Sequence, residues 1–202
     1  MIKRQIVLLN QQSGGFVDAE LIDRIDAAFA KRAEDSWQTF LAAAKVEALR
    51  TKRLFPEVDH DHWKWAEKVR LTERLLPYPT LGIECDGQVQ GLMLVETDGH
   101  FGRLGLQLGT PLVYVNLLAT APWNLPRVVE QPLYRGVGTV MLSAAVTMSV
   151  DLGFKGRLGL HSLRKSQGWY ERLGIICLGA DPTKQNLKYY ELTPEQAQEL
   201  IQ

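Results

Sequence analysis

Cysteine is scarce in this chain of 202 residues. Cys85 and Cys177 are the only two, neither belongs to a CxxC pair, and no histidine stands at ligand spacing from either. A disulfide scaffold, a thiolate metal site and a redox motif are therefore not expected, and two free thiols in a reducing compartment are. An excess of either charge is also missing, with 23 Lys and Arg against 23 Asp and Glu. A protein that grips a phosphate backbone carries a basic surplus or stripe, so no nucleic-acid partner is expected. No membrane span is expected either. From Leu104 to Pro126 no residue is charged, but Gln107, Pro111, Asn116 and Pro122 interrupt the stretch, and buried strands account for it better than a spanning helix. The opening residues lack the apolar core of a secretory signal, so Ile2 to Leu9 reads as a first strand and the location as cytoplasmic. Internal repeats and low-complexity segments are absent as well.

What is present is an ordinary globular balance, 46% hydrophobic and 23% charged, enough for one well-buried core. One domain over residues 1–202 is the expectation, and a homodimer stays open. Asp18 can cap a helix to about Arg32, with Leu21, Ile22, Ile25, Ala28 and Phe29 as its apolar face. A second helix is predicted from near Ser36, and a third from about Asp59 to Leu76, ended by Pro77 and Pro79. Asp86-Gly87 between two apolar runs, 80–85 and 88–95, predicts a hairpin. Further strands are expected near 112–120, 155–163 and 187–192, with a short helix at 166–173. Thr193-Pro194-Glu195-Gln196 has the form of a capping box that starts a terminal helix. A hairpin followed by a strand–helix–strand unit predicts an α/β fold with a mixed sheet.

The most informative stretch is Tyr134-Arg135-Gly136-Val137-Gly138-Thr139, where a turn opens a helix whose apolar face is Val137, Met141, Ala144, Ala145, Met148 and Leu152. Glycines at a helix start expose several amides at the positive end of the helix dipole, and that arrangement binds phosphate. Thr139-Val140 stands where a nucleoside triphosphate loop needs Lys-Ser/Thr, so an NTPase is not expected. The third glycine of the dinucleotide fingerprint is missing too. A plain tight turn is the structural alternative.

The order of apolar strand, Gly-x-Gly, helix ending at Leu152-Gly153-Phe154, strand, and an aromatic pair before Leu173-Gly174 resembles the GNAT superfamily of acyl-CoA-dependent N-acetyltransferases. Leu133-Tyr134-Arg135-Gly136-Val137-Gly138 occupies the frame of that family's Gln/Arg-x-x-Gly-x-Gly/Ala loop, and Trp169 to Ile175 that of its later aromatic motif. The resemblance runs from about Thr80 to Leu192. It implies a mostly antiparallel sheet flanked by helices, acetyl-CoA as co-substrate with no metal, and transfer of the acetyl group to a primary amine by direct attack. It further implies that the backbone of Arg135, Gly136, Val137, Gly138 and Thr139, with Leu133 at the loop's first position, holds the diphosphate. The strand end Leu118, Ala119 and Thr120 would pair with the pantetheine arm and polarise the thioester carbonyl. Tyr170 matches the general acid that protonates the leaving thiolate, its alternative being an aromatic core residue beside Trp169. Leu133 departs from the family's usual Gln or Arg, and the run from Pro122 to Gly136 is longer than usual. A non-catalytic acyl-CoA-binding module on the same fold is the rival reading.

The sequence does not single out a base for the amine. Glu96 and His161 are the candidates, and a hydrogen-bonded structural role is the alternative for His161. Asp59-His60-Asp61-His62-Trp63-Lys64-Trp65 is the other unusual segment. Histidines at i and i+2 do not share a helix face, so no metal site is expected. In the family, residues 1–79 would line the acceptor side, where acidic groups and indoles could bind an amine through cation–π contact. An amphipathic helix capped by Asp59 is the plainer account. The acceptor, small molecule or peptide, is not identified.

Overall fold

The computed structural model describes residues 2–201. Nine strands among them form a mostly antiparallel sheet with helices alongside, in the order β6-β1-β2-β3-β4-β5-β7-β9-β8.

β1 (Ile2–Asn10) turns back into β2 (Phe16–Asp23), antiparallel from Ile2↔Asp23 to Leu9↔Phe16. Asn10 makes the turn: its side-chain oxygen accepts from the amides of Gln12 and Ser13, at 2.9 and 3.1 Å. Of the helix expected from Asp18 to about Arg32, the part up to Asp23 is strand and only the part from Ala27 is helical. Ala19 and Leu21 alternate inward while the backbone pairs with β1, and that ladder outweighs the helical spacing of Leu21, Ile25 and Phe29. Helix α1 (Ala27–Arg50) is capped eight residues after Asp18, with Asp26 as N-cap accepting from the Phe29 amide at 2.8 Å. It is one helix, not two, because Phe29, Ala33, Trp37 and Leu41 continue a single buried stripe at four-residue steps. Helix α2 (Trp65–Thr72) starts six residues after Asp59, and residues 59–64 are turn and coil. A carboxylate from α1 caps it, Glu34 Oε2 accepting from the Ala66 amide at 3.2 Å.

β3 (Thr80–Cys85) and β4 (Gln88–Glu96) are joined at Asp86 and Gly87, with φ of 51° and 71°, the left-handed pair that a two-residue hairpin needs. β5 (Val113–Thr120) is followed by a long loop, then by the two-residue β6 (Tyr134–Arg135), which the sequence did not suggest and which pairs with the end of β1. α3 (Val137–Asp151) leads to β7 (Leu158–Ser162), parallel to β5 through Val113↔Leu158 and Val115↔Leu160. α4 (Gln167–Arg172) precedes β8 (Ile176–Asp181), an unexpected strand, then β9 (Leu187–Leu192) and α5 (Pro194–Ile201). The predicted capping box forms: the Thr193 amide donates to Gln196 Oε1 at 3.0 Å, and the Gln196 amide to Thr193 Oγ1 at 3.4 Å.

Two compact units make up the chain. The first comprises residues up to Leu76, Thr80–Met93 and Leu118–Gly138. Its core sets Ile25, Phe29, Ala30 and Trp37 against Leu81, Ile83 and Val89, with Trp37 Nε1 donating to the Val89 carbonyl at 3.0 Å. A Cβ on Gly82 would lie 2.5 Å from the Phe29 ring, so the helix packs directly on bare backbone there. The second unit comprises Pro77–Pro79, Leu94–Leu117 and Thr139 onward. In it α3 buries Met141, Leu142, Ala145 and Val146, and the strands bury Val113, Leu158, Leu160 and Tyr190. Each of the Met, Leu and Val side chains among them contributes roughly 1.5–3 kcal/mol relative to exposure. Leu152, expected on the inner face of α3, is 45% exposed because the helix ends at Asp151. No helix among the described residues is long and apolar enough to cross a membrane.

Candidate functional site

The start of α3 has the features of an anion cradle. Gly136 has φ of 91°, a conformation that side chains disfavour, and a Cβ there would meet nothing within 4 Å. The glycine is needed for its conformation, and the space around it is open. The amides of the first helical turn, from Val137 through Gly138 and Thr139, have no partner inside the helix. Val137 is buried and anchors the turn, while Arg135 and Gly136 are exposed.

Leu133 does not offer its amide to this cradle. Its N–H donates to the Trp123 carbonyl at 3.0 Å, and its own carbonyl accepts from Gln11 at 2.9 Å. The long loop uses Leu133 as its return limb. Gln90, a buried side chain in β4 that sequence reasoning passed over, pins the rest: its Oε1 accepts from Trp123 Nε1 at 2.8 Å and from Asn124 Nδ2 at 3.0 Å. Asn124 Oδ1 accepts from the Tyr134 amide at 2.9 Å, and the Tyr134 hydroxyl donates to Asp86 at 2.8 Å. The residues before the glycine turn are therefore held rigidly. At the end of β5, Ala119 is buried, and Leu118 and Thr120 are half-buried.

In the second unit, Glu96 and His161 fall in one polar cluster. Glu96 Oε1 accepts from Asn116 Nδ2, and its Oε2 lies 2.7 Å from His100 Nε2. His100 stacks on Tyr114, with ring centroids 4.4 Å apart and planes within 11°. The Tyr114 hydroxyl lies 2.7 Å from His161 Nδ1, and His161 Nε2 lies 3.0 Å from Asp181. Arg103 reaches the same Asp181 oxygen at 2.6 Å and covers the Tyr189 ring at 4.1 Å. A carboxylate only accepts, so His161 donates through Nε2 and accepts through Nδ1. Burial first, and then Glu96, push the Tyr114 phenol up to about 12, so it keeps the proton it donates to His161. Burial also lowers His161 and keeps the ring neutral, with both nitrogens engaged. Arg103, then Thr183 and His161, hold Asp181 well below the ordinary carboxylate range. His100 escaped the sequence reading because nothing local to residue 100 suggests a partner at residue 96 or residue 114.

Tyr170 is buried in α4, its ring 4.8 Å from Trp169 and 5.7 Å from Tyr190. Burial raises its phenol above the ordinary range, so it carries its proton at neutral pH. Among the described residues no group of three or more His, Cys, Asp or Glu is placed to hold a metal ion.

No family model matches the chain and no curated protein matches it. Solved structures do. The GNAT domain of S. lividans PAT superposes with a TM-score of 0.55 at 13% identity, over 94% of this chain and 96% of that one. The PaiA N-acetyltransferase from Thermoplasma acidophilum, solved in complex with coenzyme A, superposes with a TM-score of 0.50 at 13% identity, over 87% of this chain and 98% of that one. By backbone architecture, this chain has a GNAT-like fold.

Proposed function

We propose that the chain transfers an acetyl group from acetyl-CoA to a primary amine. The observation that carries this reading is the α3 start: amides with no partner inside the helix at its N-terminus, a left-handed Gly136 in open space, and a GNAT-like fold around them. Arg135 to Thr139 hold the diphosphate in this reading, without the Leu133 amide. Leu118, Ala119 and Thr120 take the acyl arm, and an amide there steadies the charge that develops on the thioester oxygen. The amine nitrogen attacks the carbonyl carbon, the C–S bond breaks as the tetrahedral centre collapses, and the sulfur leaves with both electrons. Tyr170 supplies the proton that the sulfur takes up. The nitrogen loses its own proton to Glu96, directly or through water, with His100 and Asn116 orienting the carboxylate. His161 acts as a positioning residue, since both its nitrogens are engaged.

The test is a thermal-shift comparison of acetyl-CoA, CoA, ATP and NAD, followed by thiol release from acetyl-CoA with a panel of amines. Acetyl-CoA and CoA raise the midpoint and the other two do not, because a ligand bound to the folded state stabilises it. A shift from ATP alone would overturn the assignment of the loop. The rival non-catalytic module is favoured by the engaged Leu133 amide. CoA binding without thiol release from any amine would establish it.

A further inference from the structure

The loop between β4 and β5, in the second unit, displays apolar side chains that the unit leaves uncovered. Leu106 is fully exposed, Leu108 is 70% exposed and Phe101 is 55% exposed. The backbone that carries them is pinned in place. Glu191 is fully buried, and its carboxylate accepts from the Arg103 amide, from the Leu104 amide at 3.0 Å and from Gln107 Nε2 at 2.7 Å. The Gly102 amide donates to the Thr110 carbonyl at 2.8 Å, and the Gly109 amide to the Gly102 carbonyl at 2.9 Å. A Cβ on Gly102 would lie 2.3 Å from the Gln107 carbonyl oxygen, so the two limbs of the loop touch at bare backbone. Gln107 is buried between the two exposed leucines. A loop fixed in this way holds its tip ready, and contact with a partner costs little further ordering.

A groove of about 410 Å³ lies beside this loop, with Leu178, Ala180, Pro182 and Tyr189 as its apolar wall and Arg103 at its border. Its charges are spent on one another, since Arg103 bonds Asp181 at 2.6 Å and covers the Tyr189 ring. Gly179, at the bulge in β8, has φ of 94° and open space where a Cβ would stand, which keeps the groove clear. We propose that this chain pairs with a second copy of itself, the Leu106–Leu108 tip of each seated in the groove of the other. One chain carries both halves of the contact, knob and hollow, and Arg103 belongs to both. A two-fold axis passing near Arg103 seats both tips at once and closes the assembly at two copies. The tip from Leu104 to Leu108 has no charge, and the formal net charge of the chain is zero, so two copies meet without repulsion. Three apolar side chains seated twice over bury on the order of 1,000 Å² in total, the lower end for a specific interface and the size of a dimer that exchanges with monomer. A membrane is the poorer match, because anionic lipid attracts a basic flank and Arg103, the cation beside the tip, is bound to Asp181. The pairing does not depend on the acetyltransferase reading.

Sedimentation velocity of the full chain across a dilution series tests this. The parent sediments as a dimer when concentrated and as a monomer when dilute. Leu106→Asp places a charge on the fully exposed tip, and Ala180→Arg fills the groove from an exposed position in β8. Each raises the dimer Kd at least about 100-fold, with the far-UV circular dichroism of the parent retained. Mixing the two variants restores a dimer. The intact tip of Ala180→Arg enters the intact groove of Leu106→Asp, and at the other contact the introduced carboxylate faces the introduced guanidinium. A parent that stays monomeric throughout overturns the proposal, as does a dimer untouched by both variants. Assemblies that keep growing with concentration mean tips seated head to tail, and overturn the two-fold pairing. A monomeric parent that binds vesicles of phosphatidylserine and phosphatidylcholine, with binding lost in Leu106→Asp, gives the tip to a membrane instead. Acetyl transfer by a monomeric parent defeats the pairing alone, whereas a dimer that transfers nothing defeats the acetyltransferase reading alone.

Discussion

His60 and His161 are both half-buried histidines whose proton affinity is lowered by desolvation, yet they sit in opposite kinds of surroundings. His161 has Tyr114 on one nitrogen and Asp181 on the other, and Asp181 is itself saturated by Arg103 and Thr183. His60 borders a small recess lined by Glu34, Asp61, Trp63 and Trp65, and its ring lies 5.6 Å from that of Trp63. A polar network with every member satisfied adds rigidity and has little left to offer a ligand. Unsatisfied groups next to empty space are where a ligand gains most. In this contrast Glu96 stands between the two, tied to Asn116 and His100 while its His100 partner is partly exposed.

The largest effect that would break the contrast lies at the buried phenol. Tyr170→Phe lowers kcat about 10²–10³-fold with CoA affinity nearly unchanged, as for loss of a general acid. Stopped-flow thiol release measures it, and an unchanged kcat would make Tyr170 a core residue. Glu96→Gln lowers kcat/KM about 10²-fold. His161→Gln, which acts only through Tyr114 and Asp181, lowers the thermal midpoint and leaves the shape of the pH–rate profile unaltered. A profile that lost its acidic limb in His161→Gln alone would exchange their roles.

His60 sharpens the comparison through pH. Its folded-state value is about 4 against 6.5 in the unfolded chain, so between those values the unfolded state binds the additional proton. Stability therefore rises with pH from 4 to 6.5, by on the order of 2–3 kcal/mol. Denaturant melts of the parent and of His60→Gln across that window show whether the slope disappears. The smallest effect is conformational. Gly136→Ala meets no steric neighbour but must adopt φ of 91°, which costs roughly 1–2 kcal/mol and weakens CoA binding, read by calorimetry.

Features encoded within a few residues were legible in the sequence: the Asp86-Gly87 hairpin, the glycine turn into α3 and the Thr193–Gln196 capping box each have a local physical cause. β2 was not legible, because Leu21, Ile22, Ile25 and Phe29 have helical spacing until β1 is present to pair with the backbone. β8 was missed because its side chains are mostly exposed and a bulge interrupts its register between Cys177 and Gly179, which leaves no alternating pattern. Asp59 suggested a cap for a helix that starts only at Trp65, where Glu34 of α1 takes the capping role.

By itself the sequence determined the glycine turn that opens α3 and the Trp169–Tyr170 pair in α4, since each depends on residue type and short-range spacing. Only the tertiary structure decided that Leu133 has no amide to give, that His100 joins Glu96, and that His60, Trp63 and Trp65 close on Glu34 and Asp61 around a cavity. Those outcomes depend on hydrogen bonds and ring contacts between residues far apart in the chain, and no local pattern encodes which distant partner a polar group will find.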